Sequence, residues 1–152
     1  MNRAARAWRS ACRLTRCFRA APRLTAELLA WRVGLPFAKR AFTVQTLAKF
    51  MWAGSRPAEG YDAATIAGFV GQGGRWLVSG NCVERSLVLY RLLSRTGADP
   101  ALVLGIRPGA ERVAGHVWVE VGGRPLAEID TPPYDRVIAI GAAGRLIDAA
   151  VR

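Results

Sequence analysis

Two residues carry the chemistry open to this chain. Cys82 opens the stretch Asn81-Cys82-Val83-Glu84-Arg85-Ser86-Leu87, which reads as the start of a helix. His116, the only histidine, opens the alternating stretch His116-Val117-Trp118-Val119-Glu120-Val121, which reads as a strand. A cysteine attacks as its thiolate. At the first position of a helix, sulfur lies near backbone N–H groups that lack intrahelical partners and near the positive end of the macrodipole, and both favour the anion. An imidazole beside it takes the thiol proton and hands it to the leaving group. If the two meet in space, the pair is the working core of a cysteine hydrolase or acyltransferase; if they do not, the sequence says little about function. Singly, each residue has a plainer reading, Cys82 as a small buried apolar residue and His116 as a structural histidine. The backbone N–H of Cys82 is a candidate oxyanion donor if it points into the cleft, with Gln72 and Asn81 as candidates for the rest of the hole.

A third group must hold the imidazole by its other nitrogen. Glu128 and Asp130 are the candidates, both on the stretch that returns after Gly122-Gly123. A strict two-residue turn there pairs Val121 with Arg124 and His116 with Ile129, which turns both acids away from the His116 face. A one-residue bulge or a wider loop restores the shared face, and Pro125 makes an irregularity plausible. The expectation is therefore a bulge or widened loop between Val121 and Leu126. Trp118 and Glu120 share the His116 face by alternation. Trp118 is expected to pack beside the site and Glu120 to pair with an arginine.

The elements that must position these residues are legible in outline. Asn81 is a natural N-cap, with Glu84 at the capping-box position. Val83, Leu87, Tyr90 and Leu93 form a helical apolar stripe, stopped at Gly97. Four strands follow, over 101–106, 115–121, 124–130 and 134–140, and read as an antiparallel meander with a hairpin at Gly122-Gly123. Upstream, residues 24–34 read as a helix stopped by Gly34 and Pro36, residues 40–52 as another, and residues 61–70 as a short one stopped at Gly71-Gln72-Gly73-Gly74. Helices followed by antiparallel strands make an α+β fold. The division is a basic helical N-terminal region, 1–60, and a catalytic core, 61–152.

Charge is uneven along the 152 residues. Residues 1–60 hold 12 Lys and Arg against Glu27 and Glu59, while residues 61–152 hold 10 against 9 acids, so nearly all of the net +11 belongs to the first part. Arg3, Arg6, Arg9, Arg13, Arg16, Arg19 and Arg23 recur every three or four residues, opposite Ala4, Ala7, Trp8, Ala11, Leu14 and Phe18. This is the pattern of a basic amphipathic helix ending near Pro22, able to dock a protein partner or touch a membrane surface. No nucleic-acid recognition motif accompanies the charge, and no nucleic-acid partner is expected. Three cysteines (Cys12, Cys17 and Cys82) cannot all pair, no CxxC occurs, and one histidine is too few for a zinc site. Cys12 and Cys17 fall on the basic stretch and have no evident role. The expectation is a reduced cytoplasmic protein with no metal and no cofactor. No apolar run approaches the ~20 residues of a membrane span.

The Cys-x-x-Arg-Ser-Leu helix start at Cys82–Leu87 and the His-x-Trp-Val-Glu strand at His116–Glu120, with the Gly122-Gly123-Arg124-Pro125-Leu126 return, resemble a known family over roughly residues 75–140. It is the family of transglutaminase-like cysteine proteases that mature lasso peptides, the microcin-type leader peptidases, in their stand-alone form. The resemblance implies a transglutaminase-like, papain-like core, with the nucleophile helix packed on an antiparallel sheet. It implies a Cys-His-Asp triad, in which Cys82 and His116 match directly. The family's aspartate falls on Glu128 in a gapless match, a departure in type, and Asp130 is the alternate. It implies cleavage of the leader from a ribosomally made precursor peptide. The partners it implies are a separate leader-binding protein and an ATP-dependent macrolactam cyclase. Two alternatives keep the same fold, another acyl transferase or amidase, and an inactive peptide-binding scaffold.

Overall fold

Among the described residues, four helices precede a five-stranded antiparallel sheet. The computed structural model describes residues 19, 21–53, 61–77, 81–107, 114–126 and 134–147. Most of the basic stretch 3–23 lies outside them, as do Cys12, Cys17, Glu128 and Asp130.

The first helix, α1 (Pro22–Ala41), starts with proline at a position where its missing N–H costs nothing. It does not stop at Gly34 or Pro36 as expected; Pro36 lies inside it. An interior proline costs about 3 kcal/mol. Leu24, Leu28 and Leu35 are buried before it, each returning about 1.5–3 kcal/mol, and beyond it Ala38 packs against the core and Lys39 pairs with Glu84. Tertiary packing therefore carries the helix through. The second helix, α2 (Val44–Ala53), is capped by Thr43, whose hydroxyl accepts from Thr46 N at 3.2 Å. The third, α3 (Ala63–Leu77), is capped by Asp62, which accepts from Thr65 N at 2.7 Å. It runs on through Gly71-Gln72-Gly73-Gly74, where a stop was expected. Each glycine costs under about 1 kcal/mol, and buried Ile66 and Val70 anchor the helix to the core.

The fourth helix, α4 (Cys82–Ser94), begins where the sequence indicates, with Asn81 Oδ1 accepting from Val83 N at 2.9 Å. Glu84 in its first turn is buried and ion-paired with Lys39 of α1. Arg91 in its last turn and Arg95 at its C-cap grip Glu27 of α1 at 2.8 and 2.6 Å. Three ion pairs thus tie the upstream helix to the two ends of α4.

The strands are β1 (Pro100–Ile106), β2 (Gly115–Val121), β3 (Arg124–Leu126), β4 (Asp135–Ile140) and β5 (Leu146–Ile147), in the order β3-β2-β1-β4-β5. This is not the simple meander expected. β4 crosses over to pair with β1 on the side away from β2, with Leu102 opposite Ile140. The expected bulge between Val121 and Leu126 is also absent. Gly122 and Gly123 take φ of +58° and +76°, a two-residue turn, and the register holds from Val121↔Arg124 to Val119↔Leu126. Both glycines supply the left-handed backbone whose twist suits a tight hairpin. The pair flanking such a turn exchanges the ladder bonds, so the next residue, Pro125, points its nitrogen out from the edge strand and loses nothing.

One face of the sheet meets the helices. Leu102, Val117, Val119 and Ile140 pack there with Leu28, Met51, Ile66, Leu87 and Leu92, a core shared by all four helices. The other face carries a smaller cluster of Val103, Trp118 and Ala139, with Tyr134 against it. No helix among the described residues is long and apolar enough to cross a membrane.

Candidate active site

Cys82 is the first residue of α4, half-buried and not disulfide-bonded. Its sulfur packs against the edge of the main core, on the helix side of the sheet. One turn later Ser86 is buried and donates its hydroxyl to Val117 O at 2.8 Å, which fastens the start of α4 to the strand residue next to His116.

The direction of α4 follows from a second fastening. Tyr90 is fully buried, and its hydroxyl donates to Gly141 O at 2.6 Å; burial pushes this phenol up to about 12. Leu102 pairs with both Val119 and Ile140, so Gly141 lies level with the far end of β2. From Ser86 to Tyr90, then, α4 advances from the Val117 level toward Val121. From Ser86 back to Cys82 it runs the other way, by about 6 Å. The N-terminal turn of α4, with Cys82, therefore points toward the end of the sheet where β2 begins.

His116 is the second residue of β2 and half-buried. Alternation sets its side chain on the outer face of the sheet, with Trp118 and Glu120, as expected. The imidazole stacks on Trp118, with centroids 6.0 Å apart and planes at 17°, and on Tyr134, at 5.1 Å and 26°. Trp118 Nε1 donates to Glu120 Oε1 at 2.8 Å, and Arg136 pairs with the same buried carboxylate at 3.3 Å. Glu120 therefore has an arginine partner, as expected. The imidazole is thus on the outer face of the sheet, whereas Cys82 packs against the core on the helix face. Among the described residues no hydrogen bond joins them.

The acids named for the third position, Glu128 and Asp130, fall outside the described residues, as does the side chain of Gln72. Asn81 uses its side-chain oxygen to cap α4. Tyr134 is the neighbour of His116 that sequence reasoning missed. It lies on a different part of the chain, next to β4, so no local periodicity pairs it with His116. Among the described residues no group of His, Cys, Asp and Glu could hold a metal ion. An apolar cavity of about 210 Å³ opens between α1 and α2, lined by Trp31, Leu35, Phe42, Phe50 and Met51; neither Cys82 nor His116 borders it.

No curated protein and no solved structure matches the chain. A family model described as transglutaminase-like superfamily matches residues 25–138, from α1 into β4. That span takes in α4, β2 and the helices that brace them, and the chain belongs to the transglutaminase-like superfamily.

Proposed function

We propose that the protein is a cysteine peptidase that cleaves the leader from a ribosomally made lasso-peptide precursor. Membership of the superfamily supports a papain-like, cysteine-dependent activity in the broad sense. The finer reading rests on the likeness of the Cys82 and His116 motifs to leader peptidases. The observation that supports it is that Cys82 is the first residue of α4 and that Ser86, one turn on, is hydrogen-bonded to Val117, the residue after His116.

The proposed cycle uses Cys82 as nucleophile and His116 as base, then acid. His116 takes the thiol proton, and the thiolate attacks the carbonyl carbon between leader and core. The tetrahedral oxyanion is held by backbone N–H groups at the start of α4. His116 gives its proton to the leaving amine as the C–N bond breaks, which leaves a thioester. Water, deprotonated by His116, hydrolyses the thioester to a carboxylate and regenerates the thiol. Glu128 is the proposed third member, orienting the imidazole, with Asp130 as its alternate. The proposed setting is the cytoplasm, with the precursor, a leader-binding protein and a macrolactam cyclase as partners.

The test is the chain mixed with a precursor peptide and leader-binding protein encoded beside its gene. Mass spectrometry should find free leader ending in a carboxylate, and none with Cys82→Ala. Glu128→Gln should cut the rate by about 100-fold or more if it orients the ring, and Asp130→Asn should do so if the alternate holds. An amide product in place of the carboxylate would make the protein an acyl transferase. Absence of any product, with Cys82 as slow toward iodoacetamide as a free peptide thiol, would make it a scaffold.

A further inference from the structure

The outer face of the sheet carries a continuous line of side-chain contacts centred on His116. On one side lies Trp118, 3% exposed, its indole N–H held by Glu120 and that carboxylate held in turn by Arg136. The backbone beneath is shaped for it. A Cβ on Gly105 of β1 would come within 2.7 Å of the Trp118 ring, so only glycine lets the indole lie flat across the strand. On the other side lies Tyr134, with the Arg107 guanidinium over its ring at 5.1 Å from the centroid and 3.4 Å from its hydroxyl. The imidazole stacks on both rings, at 17° to Trp118 and 26° to Tyr134.

We propose that Trp118 and Tyr134 form a clamp that sets the plane of the His116 ring, with Tyr134 as the positioning residue that closes it. This deepens the peptidase reading and rests on His116 as its base. A base on a strand end can swing about two side-chain bonds, and only a narrow range of orientations points a ring nitrogen at a given sulfur. Stacking on two rings restricts rotation of the imidazole out of its plane. Trp118 is the fixed jaw, because hydrogen bonding and burial lock it. Tyr134 is the added jaw. It comes from the segment that enters β4, and it lies outside the main core. Removing its ring therefore releases the imidazole without emptying the core that holds α4.

Two measurements on the full chain test this. Because His116 is the only histidine, imidazole NMR gives one set of ring signals. Alkylation of Cys82 by iodoacetamide, followed on the Cys82 peptide by mass spectrometry, reads whether the ring serves the thiol. Tyr134→Ala should move the His116 ring signals as the ring current is lost. It should also slow Cys82 alkylation roughly tenfold, part of the ~100-fold a positioned base contributes. Tyr134→Phe should restore both. If Tyr134→Ala loses its folded circular dichroism spectrum, Tyr134→Leu carries the same comparison with the bulk retained. Unmoved ring signals and an unchanged rate, with His116→Ala slow, overturn the clamp and leave the base in place. A His116→Ala rate equal to wild type overturns the assignment of the base itself, and with it the clamp's use in catalysis.

Discussion

Glu27 shows how one side chain joins the upstream helices to the site. It lies between Arg91 and Arg95 of α4. Burial alone would raise its carboxyl, but hydrogen bonds and charge from the two arginines outweigh burial and hold it below its ordinary value. A carboxylate lowered on folding stabilises the native state above the unfolded value, and that contribution is lost as pH falls through the folded one. Glu27→Gln should therefore cost roughly 1–3 kcal/mol near neutral pH, by urea melts. The gap to wild type should close as acid protonates the native carboxyl, and a gap that stays constant into acid would rule out the ion pair as its source. Residues of this kind are hard to read in a sequence, because nothing local links position 27 to positions 91 and 95. The His116, Trp118 and Glu120 face was legible, since a strand's two-residue period fixes it before any tertiary contact is known. Tyr134 was not, because its stacking on His116 joins two separate stretches of chain.

At the scale of elements, local signals held wherever they were strong and unopposed. Asn81 starts α4 because its side chain satisfies an orphan N–H, and Gly122-Gly123 turns the chain because both residues accept left-handed backbone. The signals failed where packing outweighed them. Pro36 and the Gly71–Gly74 run are breakers in isolation, yet α1 and α3 continue through both. The crossover of β4 to β1 is a choice of partner between similar apolar strands, and alternation within a strand does not encode it. Pro36 offers a direct check. Replacing it with alanine supplies the missing N–H to the turn before it and removes the ring clash with that turn. Some of the gain is offset by a freer unfolded chain. Pro36→Ala should raise stability by about 1–2 kcal/mol, seen as a higher thermal midpoint. A lower midpoint would mean that α1 needs its proline, for instance to aim Leu35 or Lys39 inward.

For the whole molecule, the division of charge is the property that bears on partners. The shared core joins helices from both sides of residue 60 to the sheet, so the basic part is not a detached arm from Ala21 onward. Within the described part of that region the acid is Glu27, and Arg91 and Arg95 already occupy it. Lys39 is bound to Glu84. Residues 1–18 hold Arg3, Arg6, Arg9, Arg13 and Arg16 and contain no acid. A field of one sign attracts an acidic partner and speeds its arrival, and salt weakens it over roughly 10 Å. On the proposed function, that partner is the precursor or the leader-binding protein. Reversing Arg6, Arg9, Arg13 and Arg16 to glutamate should weaken complex formation and reduce its dependence on salt. Cys82 alkylation should be unchanged, since the site is built from α4 and the sheet. Affinity and cleavage that survive the reversal would refute electrostatic docking. A variant that loses both binding and thiol reactivity would instead place the basic stretch within the folding unit, which its alkylation rate and melting curve would show together.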